Sequence, residues 1–418
     1  MSRAAGDRAD WDVVVVGAGP NGLAAAVTLA RAGLSVRVYE RADQAGGGAA
    51  TRALTLPGYR HDVCSAVHPM AFESRFFREF GLRSRVPFVT PDLSFGHPLD
   101  GGRAALAYRD LARTRDELGR DGAAYERLVG PLAAQATAVA EFTGSSLLGI
   151  PADPPTAIRF GVRALEQGTA AWRARFREEG APAMLTGVAA HTILPQPSIA
   201  AAGAGLALTA YAHAQGWPIP VGGSQAIVDA MVADLREHGG EVVLDHEVRS
   251  LRELPAARAT LLDVTPRAFL RLAGEAMPTG YRHALEGFRY GGGVAKIDFA
   301  LSDPVPWAHP ELRRAGTVHV GARAPKWRMP RTRSTPDVCP SVPMCSSPSR
   351  RCSTRVAHRM AATRCGRTRT CRPAASPIGG SGDRPDRAVR SRIPRHDPRD
   401  VLAHGPRRGA PQSELPRR

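Results

Sequence analysis

The apolar pattern is sharpest at the start of the chain. In WDVVVVGAGPNGLAAAVTLARAGLSVRVYER, residues 11–41, the valines Val13 to Val16 form a continuous run that predicts a strand buried on both faces. A glycine-rich turn then opens a small-residue helix with apolar spacing from Leu23 to Ala32, and a second strand is predicted over Ser35 to Tyr39. Residues 70–215 are largely helix-like, with apolar spacing from Tyr125 to Phe142 and a small-residue apolar run, SIAAAGAGLALTAYAHA, from Ser198 to Ala214. That run predicts either a closely packed core helix or the lining of an apolar channel. Further on, Gly239 to Leu251 has the form of a helix end, a strand and a turn back into the first sheet, and Tyr290 to Leu301 predicts one more strand. No segment approaches a membrane span, and no apolar leader precedes the first strand, so a cytoplasmic location is expected.

Composition divides the chain where the pattern fades. Residues 1–321 carry 33 basic and 33 acidic side chains, whereas residues 322–418 carry 23 and 6, so the net charge of +17 lies entirely in the second stretch. The same stretch holds 14 of the 35 prolines and five of the six cysteines, and too few apolar residues to offset the entropy of ordering it. It reads as a disordered or irregular tail behind a neutral body large enough for two lobes. Cys64 is the only cysteine of the body, which excludes a disulfide framework and a dithiol redox pair there; it reads as an inert buried thiol.

The strongest chemical signal lies in the first turn. Gly17 makes the turn tight, Gly19 lets backbone approach a diphosphate, and Gly22 lets the helix pack closely on the strand. The helix N-terminus adds unpaired N–H groups and the positive end of a dipole. Glu40 ends the second strand 18 residues after Gly22, where a carboxylate accepts the hydroxyls of a ribose. Directly after it, RADQAGGGAATR supplies Arg41 and a second glycine motif of Gly46, Gly47 and Thr51, which suits a dinucleotide that runs on past the first crossing.

With GWPIPVGGSQAIVDAMVADLREHGGEVVLDHEV, ATLLDVTPRAFLRLAG and FRYGGGVAKIDFALSDPVPW, these motifs resemble the phytoene desaturase-related FAD oxidoreductases, over essentially residues 10–321. Within them the likeness is best to the branch called pyridine nucleotide-disulfide oxidoreductase domain-containing protein 2. The resemblance implies an α/β fold: a Rossmann-like FAD-binding domain from residues 1–69 and 216–266, with an inserted mixed α+β substrate domain from 70–215 and 267–321. It implies FAD as cofactor, with Val248 beside the adenine. One departure is Ala50, where such proteins usually place arginine; Arg52 is the candidate to replace that phosphate contact.

The reaction so implied is dehydrogenation, in which a hydride leaves a substrate carbon for the flavin and a proton leaves the neighbouring atom. His61, Asp62 and His68 follow the cofactor segment and are candidates for the flavin's vicinity. Lys296 is the body's single lysine among 32 arginines, and a compact ammonium fits where a guanidinium does not. In the related amine oxidases a lysine from a comparable strand reaches the flavin through a water. Lys296, His61 and Asp62 are therefore the catalytic candidates. The partners implied are a small lipophilic substrate, an electron acceptor of unnamed class and a peripheral membrane contact.

The tail fits none of this. Its cysteines lack the close pairs of structural zinc sites, so no metal is expected, and its arginines lack aromatic interleaving, so no specific nucleic acid is expected. The family continues after GTVHVG with more substrate-domain sequence, which this tail does not match. With 54 arginines and two lysines in the chain, out-of-frame translation of a GC-rich gene accounts for the composition. Two other readings thus stand beside the oxidoreductase: a frameshifted, inactive flavoprotein fragment, and a nucleotide-binding protein whose basic tail recruits nucleic acid.

Overall fold

A computed structural model describes residues 10–146, 149–321, 342–344 and 357–360. All of these lie in one compact unit, Met1–Gly366. The tail reading falls mainly on residues outside those described, though Val342–Met344 and Ala357–Met360 pair as strands.

The valine run forms strand β1, Trp11–Val16, and the second strand, β2, is Val36–Tyr39. Helix α1, Pro20–Arg31, links them. Both strands are parallel, and β1 sits inside a four-stranded parallel sheet between β2 and the distant strand Ala257–Leu262, while β2 pairs outward with Glu241–Val243. Val14 and Val15 are fully buried because each face has its own cover. On one face Val13 and Val15 meet Leu23, Ala26 and Val27 of α1 together with Ile227, Val228 and Met231 of the helix Gln225–Glu237. On the other, Val14 and Val16 meet Tyr39, Val248 and Leu272. Each such side chain removed from water contributes about 1.5–3 kcal/mol, so the run is continuous rather than alternating.

A second sheet has the strand order 295–298, 357–360, 342–344, 315–320, 93–98, 104–108, with a single parallel pairing between Ala315–Val320 and Leu93–Pro98. The stretch expected to be helical over Tyr125 to Phe142 is two helices, Gly122–Ala133 and Ala136–Thr143. The small-residue run is the helix Ile199–Ala214, started by the Ser198 hydroxyl, which accepts from the Ala201 N–H. It belongs to the core with Phe95, Tyr125, Met184, Val188 and Trp217. A methyl added at Gly205 would stand 2.9 Å from the Ala189 Cβ, so the small residues let the helix Gly180–Ala189 cross in close contact. The strand expected over Tyr290 to Leu301 is confined to Ala295–Asp298, because three glycines, Gly291 to Gly293, precede it. Among the described residues no helix is long and apolar enough to cross a membrane.

Candidate functional site

The site grows out of the turn between β1 and α1. Gly17 has φ +105°, and a Cβ there would lie 2.5 Å from the Asp263 carbonyl oxygen, so only glycine follows this path. A Cβ on Gly22 would fall 2.1 Å from the Gly17 carbonyl oxygen. Gly19 precedes α1 without a side-chain cap, Pro20 occupies the first helical position, and the Gly22 N–H donates to Asp263 Oδ2 at 2.9 Å. Asp263 directly follows the strand Ala257–Leu262, so the carboxylate that caps α1 comes from the far side of the sheet.

Glu40 faces inward at the end of β2. Its Oε2 accepts from the Ala18 N–H at 2.9 Å and its Oε1 from the Ala42 N–H at 3.0 Å, which fixes the carboxylate beside the glycine turn with lone pairs to spare. The second glycine pair folds back onto the first: the Gly46 N–H donates to the Ala18 carbonyl at 2.8 Å, and a Cβ at Gly47 would lie 3.4 Å from the Gly19 Cα. Gly17, Gly19, Gly22, Glu40, Gly46 and Gly47 thus converge on one cradle. Arg41 is exposed beside it, and Val248 is buried against the opposite face of the sheet with Val14 and Val16. Arg52 pairs with Asp43 at 2.6 Å.

A short hairpin follows the cradle in the chain. Thr51–Arg52 pairs with His61–Asp62, Thr51 opposite Asp62. Asp62 is buried; its Oδ1 accepts from the Thr51 hydroxyl at 2.5 Å and from the Ser224 N–H at 2.8 Å, while Thr51 Oγ1 accepts from the Gln225 N–H at 3.0 Å. These bonds tie the hairpin to the N-terminus of the helix Gln225–Glu237. Burial pushes the Asp62 carboxyl up, against the Thr51 and Ser224 bonds and the charge of Lys296. His68 Nε2 meets the Ser224 hydroxyl at 2.8 Å, and burial lowers its pKa to about 4, which keeps it neutral near pH 7.

His61 points the other way along the same strand. Its ring is fully buried, with Nε2 2.7 Å from Thr55 Oγ1 and Nδ1 3.8 Å from Asp298 Oδ1. Lys296 Nζ donates to that same Asp298 oxygen. The three catalytic candidates therefore share one neighbourhood, Lys296 reaching Asp62 through its charge and His61 through Asp298. Asp298, Asp263, Ser224 and Gln225 were missed. Lys-x-Asp on a strand puts both side chains on one face, which was the available signal for Asp298. Cys64 corrects an expectation: it is exposed, 3.6 Å from the Cβ position of Gly48. Among the described residues, no three His, Cys, Asp or Glu side chains are arranged to hold a metal.

Two variants separate charge from hydrogen bonding at Asp62. Because its folded pKa is raised, its contribution to stability falls as pH rises from 3.8 through that raised value. Asp62→Asn keeps an acceptor for Thr51 and Ser224 and is expected to flatten this dependence at little cost. Asp62→Ala strands both donors, at about 1–3 kcal/mol each. Urea unfolding of both variants across pH checks this; equal losses would make the charge itself the stabilising element.

The segment that forms the cradle is similar to known proteins. Residues 15–80 match the NAD(P)-binding Rossmann-like domain. The chain is 32% identical over 116 residues to pyridine nucleotide-disulfide oxidoreductase domain-containing protein 2 of Rattus norvegicus, covering 26% of this chain and 20% of that one. It is 29% identical over 318 residues to an uncharacterized protein of Mycobacterium tuberculosis, covering 64% of this chain and 56% of the other. The chain thus spans between a fifth and just over half of the length of these relatives. A solved putrescine oxidase variant with redesigned cofactor binding shares the fold at a TM-score of 0.51 and 19% identity, over 84% of this chain and 75% of that one.

Proposed function

We propose that this chain, a mixed α/β protein whose residues 15–80 form a Rossmann-like dinucleotide-binding domain, belongs to an FAD-dependent oxidoreductase that dehydrogenates a small lipophilic substrate. The observation that carries the choice of FAD is the second glycine pair: Gly46 and Gly47 fold onto Gly19 and lengthen the cradle beyond what one diphosphate crossing needs. The residues fit the cofactor. Gly17, Gly19, Gly22 and the start of α1 would hold the diphosphate, Glu40 the ribose hydroxyls and Val248 the adenine side, with Gly46, Gly47 and Thr51 beyond. When bound, a flavin supplies the two-electron acceptor.

The chain's own part is to bind, orient and move protons. Asp62 locks the Thr51 hairpin to the helix Gln225–Glu237, which fixes one wall of the site. Lys296 Nζ donates to Asp298 next to that wall, and His61 lies behind it. Purified full-length protein is expected to carry flavin-type visible absorbance, released on denaturation as FAD by mass spectrometry. Anaerobic bleaching by lipophilic candidates then identifies the substrate class. A colourless protein that binds NAD but no flavin would overturn the reading.

A further inference from the structure

We propose that Lys296, Asp298, His61 and Thr55 form a proton-exit path from the site to solvent, with Asp298 as the positioning residue that couples the lysine to the histidine; this rests on the oxidoreductase reading, whose reaction releases a proton. Lys296 and Asp298 alternate on the strand Ala295–Asp298 and so share one face. One oxygen, Asp298 Oδ1, accepts from Lys296 Nζ and stands 3.8 Å from His61 Nδ1. That nitrogen has no hydrogen-bond partner although the ring is fully buried. On the far side of the same ring Nε2 lies 2.7 Å from Thr55 Oγ1, and Thr55 is exposed.

Four features of this line are hard to explain as packing alone. A buried imidazole nitrogen left without a partner is costly, and here it faces the carboxylate that already holds the lysine. The gap of 3.8 Å is too long for a hydrogen bond and short enough for a small side-chain shift or one water to close. Imidazole is the side chain that accepts at one nitrogen and releases at the other near neutral pH. The line ends on Thr55, an exposed residue.

The transfer balances without any change of oxidation state. The Lys296 ammonium gives a proton to the Asp298 carboxylate, the resulting acid gives it to His61 Nδ1, and the ring releases its Nε2 proton past the Thr55 hydroxyl to water. Tautomerisation restores the ring, and the net result is one proton moved outward. Other charges facing the line are Asp62, beside His61 on its strand and within the field of Lys296, and Arg52, opposite His61 in the hairpin.

The chain has two lysines, Lys296 and Lys326, so the path can be read without flavin or substrate. Competitive acetylation of the full-length protein with acetic anhydride, followed by mass spectrometry across pH, uses Lys326 as internal reference. In the parent, the Lys296 rate profile is expected to carry an additional inflection from His61. His61→Gln should erase that inflection, Asp298→Asn should erase it and raise the Lys296 rate several-fold, and Asp298→Glu should restore it. An unchanged profile in His61→Gln or in Asp298→Asn overturns the path. Because the readout needs no cofactor, its failure is distinct from failure to find FAD.

Discussion

Lowering the pH from 7 to 5 is expected to cost the protein about 4 kcal/mol of stability or more, before most carboxylates protonate. Burial holds His97 and His213 at about 4 and His319 well below 6.5, the last also facing His97 and His191. All three are buried in the described core. Between pH 6.5 and 4 the unfolded chain binds more protons at these sites than the native one, so stability falls as pH drops through that window. A shift from 6.5 to about 4 is linked to about 2 kcal/mol at pH 5, so His97 and His213 together account for about 4 kcal/mol, a large part of the 5–15 kcal/mol that holds a typical domain, and His319 acts in the same direction. The His191 and His319 rings meet Nε2 to Nε2 at 2.8 Å, an arrangement that needs one nitrogen as acceptor and is lost when both carry protons. Trp217 is fully buried against Phe95, His191 and His319, so its fluorescence should shift to the red at the transition. Urea unfolding followed by this fluorescence at pH 7 and pH 5 measures the loss, and equal stability at the two pH values would refute the linkage.

Gly22→Val is expected to remove dinucleotide binding altogether and to lower stability by several kcal/mol. The first methyl group alone meets the Gly17 carbonyl at 2.1 Å and Asp263 at 3.1 Å, and the nearest obstacle is backbone, which cannot rotate away. Overpacking of this kind costs about 1–3 kcal/mol where side chains can yield, and more where they cannot. Relief requires α1 to slide off β1, which carries its N-terminal N–H groups away from the cradle. Equilibrium binding of FAD, with thermal melting in parallel, measures both effects. Gly33→Ala is the control: its φ is +83°, which strains an alanine, but nothing lies within 4 Å of the added methyl, so it should melt only slightly earlier and bind normally.

What could be read in the sequence was what neighbours in sequence determine. The valines of β1, the glycines of the turn and Glu40 lie within one βαβ stretch, where a strand period, a turn and a helix period follow each other. Asp263, which accepts from Gly22, is 241 residues away, and Ser224, which donates to Asp62, is 162 away. No local pattern announces such partners. The strand at Ala295–Asp298 was placed correctly and drawn too long, because apolar Phe299 and Leu301 continue the alternation past the point where pairing stops. Lys296 stood out by composition alone, yet its partner Asp298 did not, since an aspartate on a strand is ordinary until something buried faces it.

The central position of β1 has a consequence during synthesis. Trp11 lies opposite Ala257, so one edge of β1 stays unpaired until the ribosome has added nearly 250 residues. At about 5–20 residues per second that is roughly 10–50 s during which a strand with four consecutive valines offers an open ladder to any neighbour. The half-made sheet is therefore the aggregation-prone state of this protein, and co-translational chaperone capacity, more than the stability of the finished fold, would govern how much of it accumulates.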